Sequence, residues 1–206
     1  MRFDAHLTHS NPVAHDAVAV YCIAISYLLN HIGDRQGAYK YARDYARNNL
    51  MHEWFLDLEM DPPKMFPATK QIGFLKIAFQ HSFYYLKSEM TYKEVIADML
   101  LKGGDTDTNA AIVGGLIGAA DTVAGIPEEW KQAMLDFRCE TKEDSSKFRG
   151  IQRPDWLIPG KVLPTGVQQL LEIAPEKLEV SIEGHQQTTF NESLKIVKAM
   201  PKPTRN

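Results

Sequence analysis

The sequence predicts an all-α fold. Apolar residues recur at helical spacing along most of the chain, as in residues 74–87, and no alternating strand pattern of useful length is present. Helix start signals are frequent: Asn11-Pro12 precedes an apolar, alanine-rich stretch, and Thr91 with Glu94 forms a capping box. With 206 residues, 44% hydrophobic and 24% charged, the chain has the composition and length of a globular protein with a substantial core.

The predicted helices follow one another with short connections. We expect them at residues 13–30, 34–48, 52–59, 74–87, 92–101 and 109–120, with a further one that begins at Pro127. The second helix carries Tyr39, Tyr41 and Tyr45, whose expected role is surface cover and side-chain stacking. Three prolines exclude a helix interior between residues 60 and 70, so this stretch is predicted to be a loop.

The character of the sequence changes at Cys139, where a polar and charged stretch begins. We therefore predict a helical domain at residues 1–138 and an extension packed on it at residues 139–206, rich in loops and helices. Within the extension, Pro164-Thr165-Gly166 is expected to open a helix at 167–173. A short extended piece is expected within 176–188 and an amphipathic helix at 191–200.

A polar hexapeptide, Gly103-Gly104-Asp105-Thr106-Asp107-Thr108, joins two of the predicted helices. The glycines permit positive φ angles and a close approach of the backbone to other groups. Asp105, Asp107 and Thr108 offer only oxygen donors, which are the ligands that Mg²⁺, Mn²⁺ and Ca²⁺ prefer. The alternative is ordinary helix capping, because Asp and Thr accept hydrogen bonds from the N–H groups of a first helical turn.

The composition of the helix after this hexapeptide favours a cation site over helix capping alone. It consists of small and apolar residues and contains Gly114, Gly115 and Gly118, each of which costs about 1 kcal/mol in a helix interior. Such a helix is expected to be buried and closely approached by its neighbours. Its N-terminus, with two acids, would then be deep in the protein, and buried acids need a partner.

The ten residues from Gly103 to Ile112, followed by a glycine- and alanine-rich helix, resemble the C-terminal metal motif of the ADP-ribosylglycohydrolases of the dinitrogenase-reductase-activating type. The resemblance continues downstream through Ile126-Pro127-Glu128-Glu129-Trp130 and upstream through Gly73-Phe74-Leu75. At the N-terminus, Leu7-Thr8-His9-Ser10-Asn11-Pro12 is similar to the family's Thr-His element. The similarity covers residues 3–137.

The resemblance implies a compact multi-helix domain that hydrolyses glycosidic bonds of ADP-ribose with two Mg²⁺ or Mn²⁺ ions. It implies metal ligands at Asp105, Asp107 and Thr108, with Asp107 as the candidate to bridge both ions. It also implies that ADP-ribose is contacted by Gly103, Gly104, Asn109 and His9, with backbone N–H groups of Gly104 and Asn109 directed to ribose or phosphate. The alternative for His9 is a histidine that caps or packs at the start of a helix.

The chain departs from the family in one respect. The family's second metal motif, a Thr-Asp-Asp cluster in its N-terminal half, has no match here, and the general acid or base is therefore unassigned. The chain resembles the C-terminal half of the domain, as a truncated product, one chain of a split protein, or a degenerate member. Its expected function is removal of ADP-ribose from a protein or small molecule, or completion of such an enzyme. The alternative is a catalytically inactive structural subunit, and in either case we expect a protein partner or homo-oligomer to cover the missing half.

Charge and cysteine content exclude several other classes. A net charge of −3 gives no electrostatic case for binding nucleic acid. No apolar run is expected to reach the roughly 20 residues that cross a bilayer, so no membrane span is predicted. Cys22 and Cys139 have no metal or redox spacing, and two reduced thiols indicate an intracellular, cytoplasmic protein.

Overall fold

The computed structural model describes residues 5–136 and 154–173, and the regular structure within them is helical, without a strand. This confirms the predicted all-α class. The helices are α1 (Pro12–Asn30), α2 (Arg35–Ala46), α3 (His52–Glu59), α4 (Leu75–Lys87), α5 (Tyr92–Leu101), α6 (Thr106–Gly125), α7 (Glu128–Leu135) and α8 (Pro159–Ile173), with a 3₁₀ turn at Asp155–Leu157 before α8.

Capping residues fix the helix starts that the sequence predicts. The Asn11 side chain accepts from the Val13 N–H at 3.0 Å, and the Asp34 carboxylate accepts from the Gly37 N–H at 2.8 Å. At α5, the Glu94 carboxylate accepts from the Thr91 N–H at 2.8 Å, which completes the predicted capping box. The predicted bounds of α3 and α5 are confirmed at both ends.

Two helices differ from their predicted bounds by three residues or more. Helix α8 begins at Pro159 instead of residue 167, because proline is well suited to a first helical position, and the helix continues through Pro164 and Gly166. Helix α6 is longer than predicted and has a break at Thr122, where φ is 62° and ψ is −177°. A threonine in this conformation carries no sequence signal comparable to that of glycine or proline.

The core is centred on α4, which packs against α6, α2 and α3. Its Phe79 and Phe83 rings lie 4.7 Å apart and both contact Phe55 of α3. Tyr39 of α2 joins this aromatic cluster and is buried, whereas Tyr41 and Tyr45 are exposed. The prediction of surface cover is therefore wrong for Tyr39 and correct for the other two tyrosines.

Helix α1 is more apolar than predicted. This 19-residue helix contains an 18-residue window with a mean hydropathy of 1.5, and by length and composition alone it could cross a membrane. The expectation that no apolar run is near that length is thus wrong. The core helix of a globular protein passes the same test, and α1 packs against α2 and α6 through buried Ala17, Ala24 and Leu28.

The chain forms two compact units, Met1–Ile126 and Pro127–Asn206. Within the first, α1–α6 surround the aromatic core; within the second, α7 and the 3₁₀ turn contact α8. The predicted domain boundary between residues 138 and 139 and the pieces predicted at 176–188 and 191–200 lie outside the described residues.

Candidate functional site

The two glycines of the hexapeptide adopt the conformation that the sequence predicts. Gly103 and Gly104 have φ values of 74° and 73°. A Cβ at Gly104 would collide with the backbone carbonyl oxygen of Ala68, and one at Gly103 would lie 3.3 Å from the Thr69 methyl carbon. The glycines therefore let this turn lie directly against the end of the proline-rich loop.

Helix α6 begins inside the hexapeptide, so Asp107 and Thr108 belong to its first turn. Asp105 occupies the N-cap position, but its side chain makes no capping hydrogen bond. Capping therefore does not account for the Asp105 carboxylate, although the position is the usual one for a capping residue.

Asp105 and Asp107 are not deeply buried in the part of the chain that the structure describes. The expectation that these two acids lie deep in the protein, at the start of a buried helix, is therefore wrong. Asp107 and Thr108 are exposed and Asp105 is half-buried, while burial along α6 begins at Asn109. The reason is that α6 packs against α4 and α5 along one side only, so its first turn emerges at the surface. Any deep site would have to be formed by covering this surface.

The carboxylates of Asp105 and Asp107 interact with each other. The neighbouring Asp105 side chain, together with the backbone N–H groups of Thr108 and Asp107, lowers the pKa of Asp107 below its ordinary value. The Asp107 carboxylate thus lies beside a second carboxyl group and the Thr108 hydroxyl. This donor set is one that a hard divalent cation would accept.

Asn109 is the buried residue of the site. It is 4% exposed, and its side-chain nitrogen has no hydrogen-bond partner. Its backbone N–H donates to the Asp105 carbonyl oxygen at 3.0 Å within the helix. The expected contact of this N–H with a ligand is therefore wrong, and the side-chain amide is the part of Asn109 that could donate to one.

Neighbouring helices closely approach the rest of α6, as its glycines predict. A Cβ at Gly114 would lie 3.0 Å from the Tyr92 hydroxyl of α5, and one at Gly115 would lie 2.8 Å from the Tyr21 hydroxyl of α1. The Tyr21 hydroxyl also donates to the Ile112 carbonyl oxygen at 2.7 Å. These contacts hold the helix that carries the acids between α1 and α5.

Helices α1 and α6 run in the same direction. Tyr21, in the middle of α1, meets α6 at Ile112, and Arg35, just beyond the end of α1, binds Asp121 near the end of α6. With equal rise per residue in both helices, the start of α1 is level with the first turn of α6. The segment that contains His9 therefore lies at the same end of the bundle as the acids.

His9 itself is exposed, and its Nδ1 lies 2.9 Å from the Thr8 hydroxyl. The rings of His6 and His15 are close to each other, with Nδ1 and Nε2 3.3 Å apart. Among the residues that the structure describes, no group of three or more His, Cys, Asp or Glu side chains could hold a metal ion. Asp105 and Asp107 therefore do not belong to a larger cluster of such side chains in this part of the chain.

An open cleft of about 530 Å³ lies between the start of α1 and the loop from α2 to α3. It is lined by Asp16, Arg47, Asn48, Asn49, Leu50, His52 and Glu53. None of the residues predicted to bind metal or ligand is among them, so the candidate site is the surface around the first turn of α6 and not this cleft.

Comparison with known proteins assigns the fold to a family. The ADP-ribosylglycohydrolase family model matches residues 1–156. The chain belongs to the ADP-ribosylglycohydrolase family. An ADP-ribosyl-[dinitrogen reductase] glycohydrolase of Rhodospirillum rubrum is 28% identical over 136 residues, which are 66% of this chain and 42% of that enzyme. A protein of Acanthamoeba polyphaga mimivirus that is named as an ADP-ribosyl glycohydrolase is 25% identical over 154 residues, 68% of this chain and 45% of that protein.

The chain therefore spans less than half the length of these two relatives. No solved structure gives a significant match. The family match confirms the predicted resemblance to the ADP-ribosylglycohydrolases.

Proposed function

We propose that this chain supplies one side of the metal and ADP-ribose site of an ADP-ribosylglycohydrolase, with the other side supplied by a part of the domain that the chain does not span. The observation that carries the proposal is the pair Asp105–Asp107 at the start of α6, with an Asp105 carboxylate that makes no capping hydrogen bond. The activity would be removal of ADP-ribose from a modified protein or small molecule.

The side chains of this site would supply part of the ligand set of a divalent metal ion. Asp105, Asp107 and Thr108 are oxygen donors, Asp107 has a lowered pKa, and the three positions are half-buried or exposed and open to further ligands. They would hold Mg²⁺ or Mn²⁺ in a two-ion site completed by residues outside this chain. When bound, such ions supply polarisation of oxygens and a template for the substrate.

The remaining residues of the site have binding roles in this proposal. The buried Asn109 amide, whose nitrogen has no partner, is directed to a polar group of the ligand, since an unsatisfied buried donor is costly unless a ligand completes it. The turn at Gly103 and Gly104 sets the backbone path that presents both acids. His9 lies at the same end of the bundle and is proposed to contact the ligand.

A second candidate is a catalytically inactive subunit that retains the fold as a structural part of a larger assembly. The observation that favours it is that Asp105 and Asp107 have no third acid, histidine or cysteine beside them in the described residues. The two candidates differ in metal binding, because an inactive descendant has no need to keep the affinity of the two acids.

Thermal unfolding with and without metal separates the two candidates. A ligand that binds only the folded state stabilises it by RT ln(1 + [L]/Kd), so about 10 mM Mn²⁺ at a Kd near 1 mM should add about 1.4 kcal/mol. We expect the midpoint to rise in the wild-type chain and in the control Glu89→Gln, and to stay unchanged in Asp107→Asn. An equal response of all three proteins would contradict the proposed site.

A further inference from the structure

Gln80, on α4, is a polar side chain with no exposure to solvent (0%). A buried amide is costly unless its hydrogen bonds are made, so its partners indicate what the residue does in the fold. Two of these partners are backbone groups of the proline-rich loop that joins α3 to α4. The Gln80 Oε1 atom accepts from the Phe66 N–H at 2.8 Å, and Nε2 lies 3.4 Å from the carbonyl oxygen of Lys64. Gln80 therefore holds this loop against the core.

Asp57, on α3, holds the same part of the loop. Its carbonyl oxygen accepts from the Lys64 N–H at 2.8 Å, and its carboxylate pairs with the ammonium groups of Lys64 and Lys76 at 3.4 and 2.7 Å. The Gln80 Nε2 atom also lies 3.4 Å from this carboxylate. Backbone groups of a loop that are covered by the core need partners of this kind, because no helical hydrogen bonds satisfy them. The segment 64–66 is thus fixed to α3 and α4.

The connection from Phe66 to Ala68 is short and stiff. Pro67 lies between them, and its ring restricts the backbone φ angle to about −65°. The Lys70 N–H donates to the Pro67 carbonyl oxygen at 3.0 Å, which closes a tight turn around Ala68 and Thr69. The position of this turn therefore follows from the position at which Gln80 holds Phe66.

The turn at 67–70 lies directly against the turn that precedes the two acids. A Cβ on Gly104 would collide with the Ala68 carbonyl oxygen, and one on Gly103 would lie 3.3 Å from the Thr69 methyl carbon. The next residue in the chain is Asp105, the N-cap of α6. The backbone that carries the acids thus rests on the segment that Gln80 holds.

We infer that Gln80 is a positioning residue for the metal site: through the segment 66–68 it fixes the turn that presents Asp105 and Asp107. The inference rests on the proposed function. Gln80 has no part in the donor set and acts through the backbone of the loop. Residues that orient metal ligands from behind typically change metal affinity by about 10–100-fold when they are replaced. Mg²⁺ in particular requires its oxygen ligands at about 2.0–2.1 Å, so a small displacement of the turn weakens binding.

A buried residue with a merely structural role would behave differently. Its replacement lowers the free energy of unfolding, but it leaves the metal affinity of the molecules that remain folded unchanged. Phe83 provides the matched control, because it is also on α4 and 0% exposed, and its ring packs against Phe55 and Phe79. A comparison of the two positions separates placement of the turn from general stability of the core.

The test is the Mn²⁺ affinity of the full 206-residue chain, measured without denaturant by electron paramagnetic resonance. Gln80→Met keeps the approximate length and volume of the side chain and removes both hydrogen-bonding atoms. We expect the Kd for Mn²⁺ to rise at least fivefold in Gln80→Met and to change less than twofold in Phe83→Leu, although both variants have a lower urea midpoint than the wild type.

Two prolines of the loop offer a second pair of variants that leaves the core intact. Pro67 is exposed and lies between the segment held by Gln80 and the turn, whereas Pro63 lies before that segment. Glycine at either position loosens the loop by a similar amount. Pro67→Gly should raise the Kd for Mn²⁺ at least threefold, and Pro63→Gly should change it less than twofold. This pair decides the question if Gln80→Met does not fold.

Hydrogen exchange reads the position of the turn without metal. In Gln80→Met, exchange should become faster in peptides that cover residues 64–70 and 103–106, and Phe83→Leu should leave the second of these peptides unchanged. An unchanged Kd in Gln80→Met, equal effects within either pair of variants, or unchanged exchange at 103–106 would overturn the inference. A wild-type chain that binds no Mn²⁺ would refute the proposed metal site itself, and exchange at 103–106 would then decide alone whether Gln80 fixes the turn.

Discussion

Arg35 and Asp121 form a bidentate ion pair that connects the start of α2 to the end of α6. The Arg35 Nε and Nη2 atoms donate to Asp121 at 3.1 and 2.6 Å, and Nη1 donates to the carbonyl oxygens of Ser88 and Met90 at 3.0 and 2.9 Å. Both side chains are largely buried. Asp121 immediately precedes the break at Thr122, so this pair fixes where the regular part of α6 ends.

Removing this guanidinium should destabilise the first unit strongly. Arg35→Ala leaves the Asp121 carboxylate and two carbonyl oxygens without a donor, and we expect a loss of about 3–5 kcal/mol in the free energy of unfolding. Urea denaturation followed by circular dichroism measures it. Lys40→Ala, at an exposed lysine on the same helix, should cost less than about 0.5 kcal/mol. A loss of similar size in both variants would contradict the role of the ion pair.

The close approach of Gly104 to the proline-rich loop can be tested by comparing its alanine variant with that of a glycine that has open space around it. Gly33 also has a positive φ, 81°, but no atom lies within 4 Å of its would-be Cβ. Gly33→Ala therefore carries only the conformational cost, about 1–2 kcal/mol, whereas Gly104→Ala adds a collision with Ala68. We expect Gly104→Ala to be the less stable variant in urea and to lose the midpoint shift with Mn²⁺. Equal stabilities would show that the turn is not closely packed.

Acid should destabilise the first unit through Asp57. Burial by itself would raise the pKa of Asp57, but the hydrogen bond and charge of Lys76, 2.7 Å away, and the charge of Lys64 outweigh burial and hold it below the ordinary 3.8. Because the folded pKa is lower than the unfolded one, the stabilisation is complete above the unfolded pKa and is lost as the pH falls through the folded pKa.

The measurement is the urea midpoint of the wild type and Asp57→Asn between pH 2.5 and 7. The stability difference between the two proteins should be largest at neutral pH and should shrink as the pH falls below about 4. Glu53→Gln, at an exposed acid on the same helix, serves as the control. A difference that is constant across the range would refute the contribution of Asp57.

Asn109 should matter for ligand binding more than for stability. Since its side-chain nitrogen has no partner, Asn109→Leu removes an unsatisfied buried donor, and we expect the free energy of unfolding to change by less than about 1 kcal/mol. In the presence of Mn²⁺, the same variant should weaken the binding of ADP-ribose to the chain at least tenfold by isothermal titration calorimetry. Normal ADP-ribose affinity would exclude the amide from the site.

Local signals in the sequence predicted much of this fold. Thr91 with Glu94, and Asn11 with Pro12, each mark a helix start through contacts within four residues, and those starts are confirmed. The positive φ angles of Gly103 and Gly104 were predictable for the same reason.

What the sequence could not predict depends on residues distant in the chain. Arg35 meets Asp121 and Gly104 meets Ala68 only once the helices have packed, and neither pair has a local signal. The exposure of Asp107 was missed because a helix with many glycines is expected to be buried throughout, whereas α6 is covered on one side only. The assignment of Asp105, Asp107 and Thr108 as metal ligands stays a prediction.

Direct titration of Mn²⁺ tests the central claim, that Asp105, Asp107 and Thr108 are ligands of a divalent ion. The electron paramagnetic resonance signal of free Mn²⁺ falls when the ion binds protein, so binding by the chain can be followed directly. We predict weak binding by the wild-type chain and loss of this binding in Asp107→Asn. Unchanged Mn²⁺ binding in Asp107→Asn, or no binding by the wild-type chain at millimolar Mn²⁺, would contradict the account.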